Sequence, residues 1–269
     1  MYTERSGQAE ANYFRSLYSE EMDVKEARPP LLRYAILSQA RTGSELVAAY
    51  LRQQGIGFPL EYFHENRMPQ LAVRWGCLEA DGNVRLDRYG RELHRHRTVS
   101  NGIFGIKIGV PQLGPITGGN PETATVLLRG MDKVLLMRRY DTLRQAVSLM
   151  RAVSTGQWHV IPGDDHARVT ASDMSVLAPR ITHCWALVLS QDRDMTRLEA
   201  TLAPDRVRTV WYEDLQDPKS MGMIADWLCT GIGVPAQPPK RKFPLPKRGD
   251  TQEADAIVKA YLEYNGLTG

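Results

Sequence analysis

The chain has 269 residues, 42% of them hydrophobic, 24% charged and 8% aromatic, with 34 Lys and Arg against 31 Asp and Glu. A chain of this length buries roughly three quarters of its unfolded surface and needs no disulfide or metal staple; its apolar content excludes a disordered chain, and no run approaches the ~18 uninterrupted apolar residues of a membrane span. A net charge of +3 gives no general surface for coating nucleic acid, and the scattered Cys77, Cys184 and Cys229 form neither a disulfide framework nor a zinc site, which fits a reducing cytoplasm.

Residues 1–30 are polar and mixed in charge and end in Arg28-Pro29-Pro30. They read as a helical or loosely packed extension, without a secretory or lipidation signal. The fold proper is expected over residues 31–236. Leu31 to Leu37 suits a buried parallel strand, and Glu45 to Gln54 a helix whose inner face carries Leu46, Val47, Tyr50 and Leu51, stopped by Gly55. Strands follow at 102–108 and 133–138, then a helix from Thr142 to Val153 with Leu143, Ala146, Val147 and Met150 at helical spacing. A helix around Ile181–Leu202, a strand at Val207–Tyr212 and a helix near Lys219–Leu228 complete a β-α-β alternation. That alternation predicts a single α/β domain with a parallel sheet flanked by helices, whose ligands bind outside the carboxyl ends of the strands. The segment 237–269, part of the same domain, places five basic residues in a proline-rich stretch before a last short helix.

Two strand-to-helix junctions carry chemistry. In Ser38-Gln39-Ala40-Arg41-Thr42-Gly43-Ser44, free backbone N–H groups and the positive end of a helix dipole make a site for a phosphate-like anion. Arg41 offers a fork of donors, Gly43 allows close backbone approach, and Thr42 and Ser44 can donate hydroxyl bonds. The loop lacks the Lys of a Walker A motif, which weighs against a nucleotide kinase. On its own it reads equally as a capped helix start with a surface Arg. The second junction, Arg138-Arg139-Tyr140-Asp141-Thr142, runs on to Ser148 and offers a second anion site, or an exposed basic helix start.

In chain order, Ser38-x-x-Arg41-Thr42-Gly43-Ser44, Gly57-Phe58-Pro59-Leu60-Glu61-Tyr62-Phe63, Phe104-Gly105-Ile106-Lys107, Arg139 to Ser148 with its extension to Trp158, and Tyr212-Glu213-Asp214-Leu215 resemble the PAPS-dependent sulfotransferases. The match is to the bacterial branch typified by trehalose 2-sulfotransferase. The resemblance implies a P-loop-like sulfotransferase fold and a sulfuryl transfer from PAPS, leaving PAP, to a hydroxyl of a carbohydrate or glycolipid, with no metal. It makes Ser38 to Ser44 the 5′-phosphosulfate loop and Arg139 with Ser148 the 3′-phosphate clamp, with Arg138 the competing candidate. Tyr212 to Leu215 becomes a structural signature. Lys247, Arg248 and Gly249 match, more loosely, the segment that closes over adenosine; the plain alternatives are a solvated tail or one touching anionic lipid. A homodimer is implied as well.

The resemblance also assigns the base. Where other sulfotransferases carry a His two residues after a Lys, this chain has Gly109 after Lys107, and Glu61 matches the carboxylate base of the trehalose-type branch. Phe58, Tyr62 and Phe63 around it are expected to raise its pKa by partial burial. Arg41 and Lys107 are the expected stabilisers of sulfuryl charge. His64 reads as packed, and His94-Arg95-His96 as an exposed loop pair without further metal ligands. A non-catalytic PAP(S)-binding or phosphate-binding protein on the same scaffold is the alternative.

Overall fold

In chain order the elements are α1 (Gln8–Leu17), β1 (Leu32–Ser38), α2 (Ser44–Gln53), α3 (Met68–Arg74), α4 (Leu86–Arg97), β2 (Ile103–Gly109), α5 (Val110–Thr117), α6 (Pro121–Arg129), β3 (Lys133–Arg138), α7 (Thr142–Thr155), α8 (Met174–Glu199), β4 (Val207–Trp211), α9 (Pro218–Cys229) and α10 (Thr251–Tyr264). They come from a computed structural model that describes residues 8–117, 121–161, 169, 173–231 and 251–267. The predicted Lys247, Arg248 and Gly249 lie outside the described residues.

The four strands pair in parallel in the order β2-β1-β3-β4. Alternation along each strand decides what covers each face. Tyr34, Ile36, Ile103, Leu135, Met137 and Val210 pack against Val47, Ala48 and Leu51 of α2 and Ile224 and Leu228 of α9. Ala35, Leu37, Phe104, Ile106, Ile108, Val134 and Leu136 face the other way, toward a layer that includes Leu71, Tyr89, Leu93, Leu113, Leu128 and Met195. Tyr13 and Leu17 of α1 are buried in that same layer, so residues 8–17 contribute to the core. α7, α8 and α10 form a third apolar cluster around Ala146, Ile181 and Ile257. Gly105 is demanded by packing: a Cβ there would stand 2.4 Å from the Tyr34 ring.

Strand succession reverses between β1 and β3, so the loops after these two neighbours stand side by side at the switch point, where open α/β sheets gather their ligands. Some local expectations change. The buried side of α2 carries Glu45, Val47, Ala48, Ala49, Leu51 and Arg52, while Leu46 and Tyr50 are only half-buried. The long helix starts at Met174, with Pro179 inside its second turn. His94 and His96 belong to α4, the first tilted against Phe104 and the second stacked on Trp75, not to an exposed loop. Among the described residues no three His, Cys, Asp or Glu cluster as a metal site, and no helix is long and apolar enough to cross a membrane.

Candidate active site

The loop after β1 is held by its own side chains. Thr42 is fully buried and its hydroxyl donates to the Gln39 carbonyl at 2.9 Å, so it is spent inside the loop and not offered to an anion as expected. The buried Gln145 of α7 donates 2.8 Å bonds to Gln39 Oε1 and the Ala40 carbonyl. Arg41 takes φ 67° and Gly43 φ 75°, left-handed values that only Gly adopts freely. The close approach at Gly43 is to protein: a Cβ would meet Leu215 and Tyr212 at 3.0 Å. This wound backbone leaves the N–H groups of Arg41, Thr42, Gly43 and Ser44 without an acceptor among the described residues. Consecutive free N–H groups at a helix start are an anion cradle.

The two junctions touch. Arg41 Nε donates to Ser148 Oγ at 2.9 Å, and its guanidinium also reaches the Trp158 carbonyl. Burial, with Arg151 and Arg139 nearby, pulls the Arg41 guanidinium down to about 10. It stays charged at neutral pH but is short of counter-charge. The structure separates the two candidate arginines. Arg138 is spent on α8, bonding Asp192, Thr196 at 3.1 Å and Glu199 at 2.9 Å. Arg139 lies on the loop side, 4.3 Å over the Tyr212 ring and 3.5 Å from the Arg41 carbonyl, with a buried Nε that makes no hydrogen bond. Glu213 accepts from the N–H groups of Tyr140 and Asp141 and pairs with Arg139 at 3.7 Å. Tyr212 to Leu215 thus seals Gly43 and seats Arg139.

A cavity of about 510 Å³ opens beside the loop at the carboxyl ends of β1 and β2. The loop contributes Ser38, Gln39, Ala40, Arg41 and Ser44, and β2 contributes Lys107. The Glu61 segment adds Phe63 and His64, which lines the wall and is only half-buried; α1 adds Glu10 and Phe14, and the chain beyond α7 adds Trp158 and His159. Arg139 and Ser148 do not line this cavity; they border it through Arg41.

Glu61 sits on the wall with its side chain 30% exposed, Oε1 3.1 Å from Lys107 Nζ and Oε2 accepting from Gln112 at 3.0 Å. Burial pushes its carboxyl up, but the Lys107 charge and hydrogen bond outweigh that and hold it below the ordinary range. The expected upward shift is therefore reversed. Of the aromatic neighbours only Phe63 shares the cavity wall, while Tyr62 is fully buried and donates to the Phe58 carbonyl at 2.6 Å. Lys107 is itself raised, since Glu45 and then Glu61 overcome its burial.

Sequence reasoning missed Glu45, Glu10 and His159. Glu45 lies 2.6 Å from both Lys107 and Arg52 at the cavity floor, and His159 Nδ1 is 2.8 Å from Glu10 across the mouth. The one available signal was helical: Glu45, Ala48 and Arg52 share a face, which puts two charges on the side that packs inward.

A parallel sheet thus carries a cationic loop at its switch point, Arg139 behind it and a carboxylate–lysine pair in the adjoining cavity, an arrangement that can hold an anion. The chain belongs to the Stf0 sulphotransferase family, whose model matches residues 33–216. Among solved structures it is similar to a sulfotransferase from Alicyclobacillus acidocaldarius, with 14% identity, 90% of this chain and 98% of that one covered, and a TM-score of 0.46. It is also similar to the sulfotransferase domain of the Synechococcus PCC 7002 olefin synthase, with 16% identity, 92% and 90% covered, and a TM-score of 0.46. No curated protein matches the chain.

Proposed function

We propose that the chain is a PAPS-dependent sulfotransferase that sulfates a hydroxyl of a carbohydrate or glycolipid, with Glu61 as the general base. The observation that carries this reading is the placement of the Glu61–Lys107 pair, 3.1 Å apart, on the wall of the cavity into which the Ser38–Ser44 loop opens. The residues suit a donor with two anionic groups. The unused N–H groups of Arg41 to Ser44 cradle one, and Arg139, with its unbonded Nε, and Ser148 hold the other.

PAPS, when bound, supplies a sulfuryl group on a leaving group that needs no metal. Glu61 then accepts the proton of the acceptor hydroxyl. Once protonated, Glu61 no longer neutralises Lys107, so that ammonium turns its charge to the oxygens being transferred, as Arg41 does from the loop. Protonation of the base thereby strengthens the field of a cation that stays in place. Around the acceptor, His64, Gln112, Glu10 and His159 supply polar groups and Phe14 and Phe63 apolar faces, a mixture that suits a polyhydroxylated ring.

The test is incubation of the purified protein with sulfur-labelled PAPS and a panel of sugars, glycolipids and host extract, read by product mass and PAP release. A sulfated product is expected. No transfer to any acceptor, together with no binding of PAP by calorimetry, overturns the reading.

A further inference from the structure

Lys107 is shared between two carboxylates. Its ammonium is 2.6 Å from Glu45 Oε2 and 3.1 Å from Glu61 Oε1, and the shorter contact is the buried one. Glu45 Oε1 lies 2.6 Å from Arg52, which also donates to the Pro59 carbonyl at 2.8 Å and the Tyr13 hydroxyl at 2.7 Å. Glu61, Lys107, Glu45 and Arg52 thus alternate in sign and sum to zero. All three of Glu61, Lys107 and Glu45 line the cavity, and Glu61 is the most open of them, its side chain 30% exposed against 3% for Lys107 and 5% for Glu45. The same two residues hold the backbone under Glu61, Arg52 by its guanidinium and Lys107 by its main chain. Arg52 takes the Pro59 carbonyl, and the Lys107 N–H donates to the Leu60 carbonyl at 3.0 Å.

We propose that Glu45 is a positioning residue. It anchors the Lys107 ammonium at the cavity floor and takes the larger share of its charge, which leaves Glu61 a carboxylate still able to accept a proton. The proposal rests on the reading of Glu61 as the base. A buried ammonium with Glu61 as its sole partner would push the proton affinity of that carboxylate lower still and make it a weaker base. The groups that act on Glu61 are Lys107 from β2, His159 from beyond α7, Tyr18 from beyond α1, and Glu45 from α2, with Gln112 of α5 a neutral donor. Lys107 and His159 pull its proton affinity down, and Glu45 opposes them. Fixing Lys107 from behind also keeps the ammonium in place once Glu61 is protonated.

The test follows the Glu61 carboxyl by carbon NMR titration in the full chain, in E45Q and in the double variant E45Q/R52Q, which keeps the buried charge sum should E45Q not fold. In either variant Glu61 is expected to bind its proton at least tenfold more weakly. The acid limb of kcat/KM moves to lower pH by the same factor, KM for PAPS stays within twofold, and E45D restores part of the change. A Glu61 titration unmoved in a folded variant overturns the proposal. A Glu61 titration that moves as expected, with turnover unaffected by both E45Q and E61Q, upholds the positioning role and overturns Glu61 as the base.

Discussion

Arg41 and Ser148, 107 positions apart, are bonded directly at 2.9 Å. The loop after β1 and the helix after β3 therefore present one continuous cationic rim, with Arg139 closing it over the Tyr212 ring. Each residue on that rim has a separable part.

Arg139→Gln is expected to weaken binding of PAP at least tenfold while changing adenosine 5′-monophosphate by less than threefold, because the proposed reading assigns the lost fork to the second anionic group. Arg138→Gln behaves differently. Its partners Asp192 and Glu199 belong to α8, so it lowers thermal stability and leaves PAP affinity nearly intact. Calorimetry with the two nucleotides separates the cases; an equal loss for both in Arg139→Gln would remove it from the clamp.

Glu61→Gln keeps the Gln112 contact in similar shape but removes the proton acceptor. Turnover should fall about 100-fold or more, with PAP affinity within twofold of the parent. Steady-state rates beside a binding titration check this, and undiminished turnover would remove Glu61 from the mechanism.

Gly43→Ala places a Cβ at φ 75° and 3.0 Å from Tyr212 and Leu215. The expected cost is about 1–3 kcal/mol, or a Tm lower by roughly 3–10 °C, with PAP affinity falling as the loop shifts. A melting curve and a PAP titration read both effects; an unchanged Tm would mean that the contact yields freely.

Stability should depend on acid through Glu45. Burial alone would raise its carboxyl, but Lys107 and Arg52 bring it down to about 2, so folding favours the ionised form. The stabilisation is fully present above the unfolded value near 4.5 and is lost as pH falls toward 2, a contribution of about 3 kcal/mol. Urea unfolding between pH 5 and pH 2.5 should show this slope in the parent chain and a flatter one in E45Q/R52Q. Equal slopes would show that Glu45 gains nothing from its partners.

Much of the fold is legible because the strands are short apolar runs and each is followed by a turn and a helix. The helices between α2 and β3 are harder to read. α4 is polar along most of its length, and its inner face depends on Tyr89, Leu93 and a fully buried Arg97 packed among Phe58, Tyr62 and Trp75. An arginine so placed is indistinguishable in sequence from a solvated one. Glu10 and His159 stay hidden because each is the other's partner from a distant element, and Glu45, beyond its same-helix pair with Arg52, because Lys107 lies on β2. The choice between Arg138 and Arg139 was closer to hand. Strand alternation puts Arg138 with Val134 and Leu136 on the α8 side and Arg139 with Leu135 and Met137 on the α2 side. What the chain order could not supply is which side carries the loop. The raised carboxyl expected of Glu61 failed because Lys107, 3.1 Å away, outweighs the effect of burial.

Neighbouring strands in a sheet lie about 4.8 Å apart, and β1 and β3 are neighbours. The interval between the two junctions is thus a ruler cut by backbone hydrogen bonds, not by side chains. Substitutions around the rim can change how tightly each end grips, but the gauge itself survives them. On the proposed reading, a two-anion donor is measured first by the distance between its charges and only afterwards by what lies between.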